Sequence, residues 1–394
     1  MRIPVDELKI IGGLFTANEI QSQPSLWLET FKLLSNQRNS LSEFLNLVYS
    51  QKNINVILTG AGTSAFVGNV LEAIFNKHTG IISRAIPTTD LVTHPEWYIY
   101  RNQPTLLISF ARSGNSPESV KSIKLANDLC GINIYHLVIT CNPDGKLVKM
   151  LSDSNSYIFL LPPGTNDKSL AMTSSFTSML LTGLFIARIN ELADFEKQLQ
   201  LLIEYGKSFL LKYVDELEKI SELNFTRAVF LGSGPFKGIA QESQLKLLEL
   251  TDGKIVCKHD SFLGFRHGPK AMVDENTLVV YLFSNNTYVQ QYERDLVESV
   301  NKGRIGLHRI GVMENCIGEL ELDTKIIFSE NGQKLDEEFL SLVSVLPAQI
   351  LGFFKSINLG LKPDSPSVNG IITRVVQGVK LYNYNDCDKE FKIN

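Results

Sequence analysis

Cysteine is scarce and scattered in this chain: Cys130, Cys141, Cys257, Cys316 and Cys387 are the only five. They are odd in number, and neither CxxC spacing nor clustering is present, which excludes a disulfide framework and the common zinc sites and favours reduced thiols in a cytoplasm. Basic charge is not in excess either. Thirty-eight Lys and Arg against 42 Asp and Glu give a net charge of -4, so no basic field exists for a nucleic acid backbone and no nucleic acid partner is expected. Long apolar runs are lacking too. The start, "MRIPVDELKI", has no signal-peptide core, and the apolar run near "SMLLTGLFIARI" is broken by Thr182 and Arg188, so a soluble, intracellular protein without a membrane partner is expected. Of the histidines, His78, His94, His136 and His308 are isolated and without ligand spacing, and no metal site is expected.

What the chain does have is apolar content, 44% over 394 residues, enough for two cores. The first fifty residues carry helical spacing in Trp27, Phe31, Leu34 and in Phe44, Leu45, Val48, with a capping-box pattern at Thr16 and Glu19. Short β-branched runs then alternate with helix-length stretches: "NVILTG", "GIISRAI", "TLLISF", "IYHLVIT" and "SYIFLL". That alternation predicts a parallel α/β sheet. The long amphipathic stretch from Leu170 to Tyr213 closes the unit, and the pattern restarts. "AVFLGSGPFKGIAQESQLKLLEL" repeats the plan of "NVILTGAGTSAFVGNVLEAIF", "TLVVYLFSNN" that of "TLLISFARSGN", and "RIGLHRIGV" and "KIIFS" add strands. We therefore expect an N-terminal helical segment over 1–50, one sheet domain over 51–213 and a second over 214–394.

Polar loops follow three of the elements in the first unit. "TGAGTSA" supplies Gly62, Thr63 and Ser64; "SFARSGNS" supplies Ser109, Arg112, Ser113, Gly114, Asn115 and Ser116; "AMTSSFT" supplies Thr173 and Ser174. In a parallel sheet such loops aim backbone N–H groups and helix dipoles at the carboxyl ends of strands, where anions bind. Each loop alone is equally a set of helix caps. Three together point to a phosphate bearing sugar hydroxyls. The rival is a dinucleotide fold, because Gly60 to Ala65 satisfies GxGxxA; yet "GIISRAIP" ends without the acidic residue that would hold a ribose, and the second serine loop has no role there.

In the second unit, Glu242, Lys246 and Glu249 are spaced i, i+4, i+7 in "QESQLKLLELT", which places them on one helix face. A solvated Glu-Lys-Glu stripe has the same spacing. His267, in "GFRHGPKAMVD", lies beside Gly and Pro in a loop, and His259 near Asp260 could support it.

With "TGAGTSAF", "ISFARSGNSPES", "SLAMTSSFT", "ESQLKLLELTDGKI" and "GFRHGPKAMVD", the chain resembles the sugar isomerase (SIS) domain superfamily over about residues 50 to 380. It is most similar to the AgaS type, known as tagatose-6-phosphate ketose/aldose isomerases and amino-sugar phosphate deaminase/isomerases, and more distantly to the isomerase half of glucosamine-fructose-6-phosphate aminotransferase. The resemblance implies two tandem SIS domains of class α/β, each a doubly wound parallel sheet flanked by helices. It implies a phosphosugar substrate, its phosphate held by Ser113 and Ser116 with Thr63, Ser64 and the backbone around Gly114. Arg112 stands where the aminotransferase has glutamine, and a guanidinium there suits a phosphate.

By the same resemblance Glu249 is the proton-shuttling carboxylate, His267 the ring-opening histidine contributed by a neighbouring subunit, and Glu242 and Lys246 polar groups near the sugar. A homodimer or higher homo-oligomer with shared sites follows. The aminotransferase's C-terminal Schiff-base lysine is replaced by Gln377, with Lys380 out of register. The expected reaction is conversion of an amino-sugar 6-phosphate, galactosamine 6-phosphate first, to a ketohexose 6-phosphate and ammonia without metal or organic cofactor. The alternatives are plain isomerisation of tagatose 6-phosphate and a phosphosugar-binding regulator without chemistry, though no basic recognition helix precedes the domains.

Overall fold

The computed structural model describes residues 3–151, 155–376 and 378–384. Among these residues, ten strands form two all-parallel sheets. The first contains β1 (Asn55–Thr59), β2 (Ser83–Ala85), β3 (Thr105–Ala111), β4 (Ile134–Thr140) and β5 (Ser156–Leu160), ordered β2-β1-β3-β4-β5. The second contains β6 (Arg227–Gly232), β7 (Val256–Asp260), β8 (Thr277–Leu282), β9 (His308–Met313) and β10 (Thr324–Ile327), ordered β7-β6-β8-β9-β10. The two orders are the same when each sheet is counted from its own first strand. Each has a switch point, between β1 and β3 and between β6 and β8, where the crossovers reverse and a crevice opens.

Strands β1, β3, β4 and β8 are buried along their whole length, so they read in the sequence as mostly apolar runs interrupted by single buried polar residues such as Ser109 and His136. β7 does not. It lies at an edge with every residue at least partly exposed, and its polar sequence "VCKHD" carries no strand signal; it is the strand that sequence reasoning missed.

The N-terminal segment is helical as expected, with helices Val5–Ile11, Leu14–Gln21 and Gln23–Tyr49. Its capping differs. Thr16 lies inside its helix, and the free amides of Phe15 and Thr16 are taken by the Asp364 carboxylate, at 3.1 and 2.7 Å, from 348 residues further along the chain. Glu19 turns away to the 168–169 backbone. A distant carboxylate thus replaces the local capping box.

Both sheets share one core. Phe195 stacks on Phe31 of the N-terminal segment at 5.8 Å and meets Phe339 of the second half edge-on at 4.8 Å. Such a continuous apolar junction disfavours free movement of one half against the other. Among the described residues it is Glu337–Asn358, not "SMLLTGLFIARI", whose 22 residues meet the length and composition of a membrane span. Its most apolar 18-residue window is 94% buried within the protein, where apolar content reflects burial in protein.

Candidate active site

The two halves meet along their first helices, Thr63–Thr79 and Pro235–Leu250. A side chain on Gly238 would put its Cβ 2.6 Å from Val70 Cγ2 and 2.8 Å from the Val70 backbone nitrogen, so only glycine permits this approach. The consequence is functional. The polar face of the second helix is carried to the mouth of the first sheet's crevice.

The first helix enters from a glycine turn. Gly60 has no room for a side chain, since a Cβ would lie 2.5 Å from the Ser64 carbonyl carbon, and Gly62 adopts φ +57°. Its counterparts Gly232 and Gly234 repeat the turn, with φ/ψ of 55°/-128° at Gly234 against 57°/-130° at Gly62. In the first unit this turn and the β3 loop line a cavity of about 450 Å³. Gly62, Thr63, Ser64, Arg112, Ser113, Ser116 and Glu249 all reach its wall. Ser113 and Ser116 flank Gly114, at φ +63°, just before the Pro117–Cys130 helix, where N–H groups and dipole favour an anion. Gly114 and Asn115 build the turn rather than the wall: Gly114 O accepts the Leu147 amide at 3.1 Å, and Asn115 Oδ1 the Lys146 amide at 3.0 Å.

Across the cavity, Lys246 Nζ sits 2.7 Å from Glu249 Oε2, 3.3 Å from Glu242 Oε1 and 3.1 Å from Thr63 Oγ1. Glu242 and Lys246 are fully buried and only Glu249, with 24% of its side chain exposed, looks into the cavity. The face is therefore not a solvated stripe. Burial pushes the Glu242 carboxyl up to about 8, against the pull of Lys246. Burial also works to lower the Lys246 amine, but Glu242 and Glu249 outweigh it and hold the amine above its ordinary range. Glu242 thus braces Lys246 from behind and does not touch the cavity.

Two other predicted groups have different occupations. Thr173 and Ser174 are fully buried at the start of the Ser174–Ala187 helix, where Asp167 accepts both their amides, at 2.9 and 3.2 Å, and the Ser174 hydroxyl at 2.5 Å. An internal carboxylate already fills the place an anion would take, so these two residues do not serve the cavity. Arg112, on the wall, donates through Nη1 to the carbonyls of Ser169 (3.2 Å) and Leu170 (3.1 Å) and through Nη2 to that of Arg374 (2.8 Å). Three of its five N–H groups are spent on backbone, which limits what it can offer a ligand.

His267 lies on an exposed turn after the short helix Phe262–Phe265 and is not on the cavity wall of its own chain. His259 is held by Gln244 Oε1 at 2.6 Å. Gln377 lies outside the described residues, and Lys380 packs over Tyr382, away from the cavity. Sequence reasoning did not find the strap 370–376, which closes one side of the cavity with Ile371, Ile372, Thr373, Arg374 and Val376, nor Ser119 and Met172 on the same wall. Ser119 is one turn beyond Ser116, a spacing that could have identified it. The strap has no periodicity and could not be read.

Residues 48–188 match the SIS domain family. The D-galactosamine-6-phosphate deaminase AgaS of Shewanella sp. (strain ANA-3) is 40% identical over 386 residues, covering 97% of this chain and 95% of that protein. Among solved structures, a Clostridium novyi NT protein that is 42% identical superposes with TM-score 0.92 over 96% of this chain and 97% of its own. The tagatose-6-phosphate ketose/aldose isomerase of Escherichia coli, 35% identical, superposes with TM-score 0.86 over 94% and 97%.

Proposed function

This chain belongs to the AgaS family of SIS-domain proteins, and on that premise we propose that it is an amino-sugar phosphate deaminase/isomerase, with galactosamine 6-phosphate as its substrate. The observation that carries the reading is the position of Glu249. It comes from the second half of the chain to face a cavity whose other wall carries the hydroxyls of Ser64, Ser113 and Ser116.

The phosphate end of the substrate lies at those hydroxyls and the N-terminal turn of the Pro117–Cys130 helix, which leaves C1 and C2 toward Glu249. His267 of a second subunit assists ring opening, in keeping with its exposure outside its own chain's cavity. Glu249 then removes the C2 proton of the open-chain aldehyde, giving a C1–C2 enolamine, and returns a proton to C1. The Lys246 ammonium, 2.7 Å from the carboxylate, orients it for the first transfer. The C2 ketimine takes up water and releases ammonia, leaving tagatose 6-phosphate. Positioned acid and base groups contribute about 10²–10⁴-fold each to such transfers. Free thiols at Cys130, Cys141, Cys257 and Cys316 support a cytoplasmic setting.

Purified protein is tested with galactosamine 6-phosphate and glucosamine 6-phosphate, measuring ammonia and ketose phosphate together. Ammonia in step with tagatose 6-phosphate from the galacto epimer is expected. Interconversion of tagatose 6-phosphate with its aldose, and no ammonia from either amino sugar, would instead favour the isomerase reading carried by the E. coli relative's name.

A further inference from the structure

Glu19 belongs to the N-terminal helical segment, outside both sheets, yet its carboxyl is buried against residues 167–170. Its Oε1 accepts the amides of Lys168 at 2.5 Å and Ser169 at 3.2 Å; among the described residues its Oε2 meets only the Ser169 hydroxyl. That hydroxyl also lies 3.0 Å from the Ala171 carbonyl oxygen. A serine hydroxyl has one proton and cannot donate to both. The contacts are all satisfied if Glu19 itself carries a proton, donating from Oε2 to Ser169 Oγ, which donates to Ala171 O.

The segment that Glu19 holds anchors two walls of the cavity, Arg112 and the 370–376 strap. Arg112 donates to the Ser169 and Leu170 carbonyls, and Arg374 Nε donates to the Asp167 carbonyl at 2.8 Å while its own carbonyl accepts Arg112. Arg374 Nη2 adds a bond to Asn166 Oδ1 at 2.6 Å, one residue before the segment, so Arg374 ties the strap to residues 166–167 and to Arg112, which is itself bonded to Ser169 and Leu170. We infer that Glu19 is a positioning residue whose protonated carboxyl locks residues 167–170, and through Arg112 and Arg374 holds the 370–376 strap against the cavity, so that its ionisation loosens the strap.

The charged groups around the segment are Asp167 and the exposed Lys168 on it, Arg112 after β3, Arg374 on the strap, and Asp364 at the head of the helix that carries Glu19. Burial first, then the Asp167 charge, raises Glu19 from 4.5 to about 7. The sign follows from linkage. A carboxyl raised on folding contributes stability that is complete below its unfolded value of 4.5 and is lost as pH rises through about 7. The lock is therefore closed on the acid side of neutrality and opens on the alkaline side.

Hydrogen exchange of a peptide spanning 370–376, corrected for intrinsic exchange, is measured on the full chain without substrate from about pH 6 to about pH 8.5. Protection falls several-fold across this range in the wild type and stays at its low-pH level in Glu19→Gln, whose amide can donate to Ser169 as the protonated acid does. A Glu19→Gln profile that falls like the wild type overturns the inference, as does a wild type that shows no fall. Should Glu19→Gln not fold, Asp167→Asn serves: removing that charge moves the fall to lower pH, and an unmoved profile is equally fatal. The readout needs no turnover, so it stands apart from the deaminase assay.

Discussion

Lys246 Nζ lies between two carboxylates, 2.7 Å from Glu249 and 3.3 Å from Glu242, and it is the only cation bonded to either among the described residues. Replacing it by Met leaves two buried or half-buried acids facing each other. Lys246→Met is expected to lower kcat by about 10²-fold or more and stability by about 3–5 kcal/mol, checked by ammonia release and urea melts. Glu249→Gln keeps the ammonium partnered. It should bind phosphosugar normally in calorimetry while turnover is suppressed, and retained turnover would remove Glu249 from the proton transfer.

Ser113 and Ser116 are assigned to the phosphate, which both ground state and transition state contain. Their loss should therefore appear in KM more than in kcat. Each hydrogen bond to a charged group is worth about 1.5–3 kcal/mol, so Ser113→Ala and Ser116→Ala should each raise KM roughly 10- to 100-fold. A matched loss of affinity for inorganic phosphate is the control.

Gly238 meets Val70 with no space for a β-carbon. Gly238→Val is expected to cost about 1–3 kcal/mol by overpacking and also to displace the helix that carries Glu249. Thermal melting and kcat should fall together. A variant with lowered stability and unchanged kcat would show that the helix crossing does not set the catalytic geometry.

Glu338 receives Lys77 Nζ at 2.7 Å and His78 Nε2 at 2.9 Å, both from the opposite half. Burial alone would raise its carboxyl, but these partners outweigh burial and bring it from 4.5 down to about 2. A depressed carboxyl contributes stability present above its unfolded value of 4.5 and lost as pH falls toward about 2. Glu338→Gln should lower stability at neutral pH by about 1–3 kcal/mol and flatten the acid limb of a melting-temperature profile between those two values.

The order of elements was legible because a parallel sheet buries its central strands on both faces, so β1, β3, β4 and β8 announce themselves as apolar runs, and because the second sheet repeats the first. β7 was not, since an edge strand needs no apolar content. Within the site, the hydroxyl loops and the Glu242–Lys246–Glu249 face could be read from local spacing. Their division of labour could not: Glu242 and Lys246 share a face with Glu249, but only Glu249 reaches the cavity, and Thr173 and Ser174 resemble a phosphate loop while serving Asp167.

By itself, then, the sequence determined what local periodicity and turn chemistry encode: two α/β repeats, glycine turns at Gly62 and Gly234, and one helix face bearing the acid and its lysine. Only the tertiary structure decided which groups are free to meet a ligand, because that depends on partners hundreds of residues away. Asp364 caps the helix at Thr16, Glu19 grips Ser169, and Arg112 is spent on Arg374; none of these pairings has a sequence signature, since each is fixed by the packing of one element against another.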